Sequence, residues 1–67
     1  MSHSHKQVAL AALEVNLRNI VRARTLLRQD LNSDAEHAVI EGLLASLLKD
    51  REKILAILEL LEMLDEV

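Results

Sequence analysis

The sequence predicts an all-α protein: an antiparallel two-helix hairpin that pairs with a second copy into a four-helix bundle. Three observations lead there. Ile40, Leu43, Leu47, Ile54, Ile57, Leu61 and Leu64 recur at steps of three and four, interrupted only by Asp50, which is the spacing of one helix face. The 67 residues are 51% hydrophobic yet hold no Phe, Trp or Tyr, so the apolar content is almost all Leu, Ile, Val and Ala, the residues of helix bundles. Proline is absent and Gly42 is the single glycine, which leaves one polar stretch around Asn32 to break the chain.

Helix one is expected over about residues 5–31, after a disordered tail at 1–4. Ser4-His5-Lys6-Gln7 has the form of a capping box, with a serine hydroxyl facing the amide three residues on and a glutamine reaching back. Its apolar seam reads Leu10, Leu13, Leu17, Ile20, Arg24, Leu27, Leu31. Ala9, Ala12 and Ala23 flank that seam and admit a close neighbour, while Glu14 and Arg18 form a favourably ordered i,i+4 pair.

The turn is expected at residues 32–33. Asn32 suits the left-handed position after a helix, and Ser33-Asp34-Ala35-Glu36 is a second capping box. A loop this short makes the helices antiparallel neighbours and brings residues whose numbers sum to about 66 level with one another. Arg24 then faces the level of Glu41 and Gly42, and Asp50 that of Asn16. Polar side chains at such positions set register and partner orientation, and Arg24, Glu41 and Asp50 are assigned that role: Arg24 is expected to pair with Glu41, with Gly42 leaving room for the guanidinium, or with Asp50 of another copy if the bundle is antiparallel.

Helix two is expected over about residues 34–64. Asp34 and Glu36 lie in its first turn, where carboxylates meet the positive end of the helix dipole. Beside its seam, Leu44, Leu48, Leu55 and Leu58 form a second row, making the apolar arc wider than one neighbouring helix requires. These four leucines are the expected partner-binding residues. A single core in a chain below roughly 70–80 residues supplies no more than about 3–5 kcal/mol, and without cysteine no disulfide can add to it. Oligomerisation is the remaining support.

The formal net charge of −3 is unevenly divided. Lys6 to Asp30 holds five basic and two acidic residues, and Asp34 onward three basic and nine acidic, so the helices attract one another across the hairpin. Asp50, Arg51, Glu52 and Lys53 interrupt the longest apolar candidate for a membrane span, and the first residues lack the apolar core of a secretory leader. A cytoplasmic protein is expected. His3, His5 and His37 do not form a metal-ligand pattern, the serines read as tail, cap or helix-interface residues, and no nucleophile has a base at helical spacing. No enzyme activity, metal or cofactor is expected.

Two resemblances bear on function. The amphipathic first helix, the basic-acidic stretch Leu27-Arg28-Gln29-Asp30-Leu31, the segment Asp34-Ala35-Glu36-His37 and a long second helix are similar to the small two-helix co-chaperones of type III secretion needle subunits. That resemblance implies a chain that offers an apolar helix face to another helical protein. In length, two-helix layout and the acidic turn Asn32-Ser33-Asp34-Ala35-Glu36, the chain also resembles Rop-like helical hairpins, whose paired hairpins bind RNA loops through their first helices. Lys6, Arg18, Arg22 and Arg28 would supply such a basic face, but helix one has no aromatic residue and the chain as a whole is acidic. The reading that follows is an oligomerising adaptor or co-chaperone, with a Rop-like RNA binder as the alternative.

Overall fold

The computed structural model describes residues 4–29 and 33–65. Within them the chain forms two helices, α1 (His5–Leu27) and α2 (Asp34–Asp65), packed side by side as a hairpin.

Both helix starts are fixed by their immediate neighbours. Ser4 Oγ accepts from the Gln7 amide at 3.1 Å, and the Ser4 amide donates to Gln7 Oε1 at 3.3 Å, closing the first capping box. Ser4 is therefore the N-cap of α1; residues 1–3 of the expected tail lie outside the described residues. At the second start, Ser33 Oγ accepts from the Glu36 amide at 3.2 Å and donates to Glu36 Oε1 at 2.9 Å. The carboxylate here closes on the serine hydroxyl, so one side chain both orients the cap and lies beside the positive helix end.

The end of α1 differs from expectation. The helix stops at Leu27, four residues before Leu31, and tightens as it does so: the Arg28 and Gln29 amides donate to the carbonyls of Thr25 and Leu26, each at 3.2 Å. Such i to i−3 bonds close a final turn that neither glycine nor proline ends. Thr25 Oγ1 also donates back to the Val21 carbonyl at 2.9 Å, a bond that tends to bend the turn containing it. The expected left-handed Asn32 lies outside the described residues.

The hairpin seam is rotated from the one read in the sequence. On α1 the residues turned toward α2 are Ala9, Leu13, Asn16, Ile20, Ala23 and Leu27, so Leu10, Leu17 and Arg24 give way to the residues just before them. On α2 the seam runs through Ile40, Leu44, Leu47, Arg51, Ile54, Leu58 and Leu61. The rotation follows from size. Ala9, Asn16 and Ala23 let the backbones approach, whereas leucines there would hold them apart.

The expected register holds. Asn16 and Asp50 line one depression, Ala23 and Leu43 another, His5 and Leu61 a third. Asn16 Nδ2 donates to the Leu47 carbonyl at 3.0 Å, a cross-helix bond near the middle of the hairpin.

Candidate interaction surface

Among the described residues the buried apolar side chains are Ala9, Ile20, Ala23 and Leu58, and none is fully enclosed. Two alanines contribute little to that core. The chain exposes 5557 Å², whereas a compact monomer of 7.5 kDa exposes about 4,200 Å². The excess, about 1,300 Å², is more than the roughly 800 Å² that each partner buries in an ordinary specific interface.

The exposed apolar surface falls on two sides of the seam. On one flank Leu10 and Leu17 of α1 lie level with Leu55 and Leu48 of α2; Leu10, Leu17 and Leu55 are exposed and Leu48 is half-buried. Arg24 and Glu41 are level on the same flank, as the register requires. They do not form the expected pair: Glu41 Oε1 meets His37 Nδ1 at 2.9 Å within α2, while Arg24 is exposed. The rotation accounts for this, because it places Ala23 against α2 and Arg24 on the outside.

On the opposite side the hairpin is grooved. Three depressions, of about 280, 370 and 380 Å³, run end to end along it; the first two share Asn19 and Leu47, the second and third share Ala12 and Ile54. The groove exists because α1 supplies Ala9, Ala12, Asn16, Asn19 and Ala23 there, too small to meet the Leu and Ile residues of α2. From Leu43 to Leu61 it spans roughly 27 Å of helix, the scale of a docked helix rather than of a small ligand. Asp50 and Lys53 stand on its wall near mid-length.

The four leucines expected to bind a partner have separate places. Leu58 is 8% exposed and belongs to the hairpin's own seam, Leu44 and Leu48 are half-buried, and Leu55 is 46% exposed. The groove was not anticipated, although the alanine and asparagine spacing on α1 was the signal for it. Gly42 is not needed to make room for a guanidinium, since a Cβ placed there would meet nothing within 4 Å.

Asn16 is 6% exposed, and its Oδ1, like Nε of half-buried Arg51, is buried without a hydrogen-bond partner among the described residues. Arg18 pairs with Glu14 on the outer surface of α1, so part of the basic face is internally neutralised. Among the described residues no three metal-ligating side chains gather, and no helix is long and apolar enough to cross a membrane. No protein-family model, curated protein or solved structure matches the chain.

Proposed function

We propose that the chain is a non-enzymatic helical interaction module, an oligomerising adaptor or co-chaperone that pairs into a four-helix bundle and engages a helical protein through α2. The observation that carries this reading is the surface excess: a hairpin with so thin a core and so much exposed Leu, Ile and Val reaches ordinary stability by covering that surface. A cytoplasmic location accords with the cysteine-free sequence.

Light scattering across micromolar concentrations tests the reading, with a mass above 7.5 kDa expected. A chain that stays at 7.5 kDa and melts cooperatively without a partner would refute it. Stoichiometric co-purification of a small helical protein supports the adaptor role, whereas an RNA mobility shift that weakens steeply with salt favours the RNA-binding alternative.

A further inference from the structure

We infer that the groove side of the hairpin is closed by a second copy of this chain, with the two turns at opposite ends of the assembly. The inference rests on the self-association within the proposed function and assigns it a face and a direction.

The face follows from what each side of the seam lacks. The flank carrying Leu10, Leu17, Leu48 and Leu55 presents large side chains from both helices, whereas the other side is a helix-length channel. A channel walled on one side mainly by alanine and asparagine, with Val15 and Arg22 at its border, and on the other by Leu and Ile accepts ridges from a second hairpin. Side chains such as Val15, 54% exposed, and Ile57, 50% exposed, border it and supply those ridges.

The direction follows from charge. With the turns at opposite ends, each helix lies over its own counterpart in reverse, and a two-fold axis crossing α2 between Asp50 and Lys53 brings Asp50 of each copy to Lys53 of the other. Leu43 then meets the level of the second copy's Leu60, and Val39 that of its Leu64. With both turns at one end, α1 lies over α2, and Asp50 and Lys53 face the level of Asn16 and Leu13, where the nearest charges, Glu14 and Arg18, already pair with each other on the outer surface of α1. The whole chain points the same way. Residues 17–49, around the turn, hold five positive and four negative side chains, and the remaining residues three positive and seven negative. Opposed ends separate the two strongly acidic portions.

The native sequence has no cysteine, so a spin label on Val39→Cys reports without background; Val39 is 72% exposed. Opposed turns place the two labels roughly 35–40 Å apart, from the helical rise on either side of the axis, and shared ends bring them within about 20 Å. Ala12→Glu, in the groove, is expected to weaken self-association at least about tenfold, and Leu17→Glu, on the opposite flank, to leave it within about threefold. Asp50→Lys is expected to weaken it, and the exchange Asp50→Lys with Lys53→Asp to restore it. Should Ala12→Glu lose helix content, the exchange and the label distance still decide, because both positions lie outside the hairpin seam. A monomer at every concentration overturns this inference together with the self-association part of the proposed function. A dimer with the short label distance, or one broken by Leu17→Glu and indifferent to Ala12→Glu, overturns the inference alone.

Discussion

Replacing Asn16 by leucine is expected to make the protein more stable, although it removes a side-chain hydrogen bond that joins the two helices. The bond from Nδ2 to the Leu47 carbonyl contributes about 0.5–1.5 kcal/mol net. Against that loss, Oδ1 is buried without a protein partner, and removing an unsatisfied carbonyl returns about 1–3 kcal/mol. Leucine has the same branched outline but is larger, so burying it contributes about another 1.5–3 kcal/mol while crowding the close seam at Asn16 costs about 1–3 kcal/mol. The balance favours Asn16→Leu by about 1 kcal/mol, a sizeable fraction of the roughly 3–5 kcal/mol that a core in so short a chain supplies. Asn16→Asp should do the opposite, since it presents an acceptor to the Leu47 carbonyl and buries a charge. Urea melts followed by far-ultraviolet circular dichroism, at one fixed chain concentration because assembly couples to folding, read both. If Asn16→Leu lowers stability by more than about 1 kcal/mol with the oligomeric mass unchanged, Oδ1 is satisfied in solution and the accounting is wrong.

Three further outcomes follow from the packing. Gly42→Ala should stabilise the protein by about 0.5–1 kcal/mol, because the glycine lies within α2 with nothing near its missing Cβ; a destabilisation in thermal melts would reveal an undetected contact. Ile20→Ala should cost about 2–5 kcal/mol, as Ile20 is 2% exposed at the seam, and an unchanged melting temperature would place the core elsewhere. Ser33→Ala should cost about 0.5–2 kcal/mol by opening the second capping box, with amide hydrogen exchange expected to rise first at residues 34–37.

Helix starts were legible because they depend on a few adjacent residues: each serine hydroxyl accepts from the amide three positions on, the first box closes in full, and at the second the Glu36 carboxylate meets the serine hydroxyl in place of its amide. Register was legible because the place of the turn determines it, which is how Asn16 and Asp50 could be set at one level. The rotation of the helices about their own axes was not. Leu10 and Leu17 outrank Ala9 and Asn16 in hydrophobicity, so periodicity centres the apolar arc on the leucines, one residue and about 100° of helix away from the true contact line. What settles the contact is distance between backbones. Once alanine and asparagine permit close approach, the leucines become the wall of a flank, and Leu44 and Leu58 turn inward to fill what the alanines leave.

The same rotation separates two kinds of specificity at one level of the hairpin. Asn16, in the seam, bonds across to Leu47 and fixes how α1 slides on α2; a seam without it keeps only Arg51 as a polar member near its middle and tolerates a shift of register more readily. Asp50 and Lys53, on the groove wall, make no hydrogen bond or ion pair across the hairpin among the described residues, and in the proposed pairing their charges fix one copy against the other. Asn16→Leu should therefore blur the register within a copy while leaving the Val39 label distance centred where it was. Exchange of Asp50 alone should disturb that distance or abolish pairing, with hairpin helicity intact. If instead each substitution alters both properties, the seam and the groove act as a single core, and the hairpin has no defined register until its partner is bound.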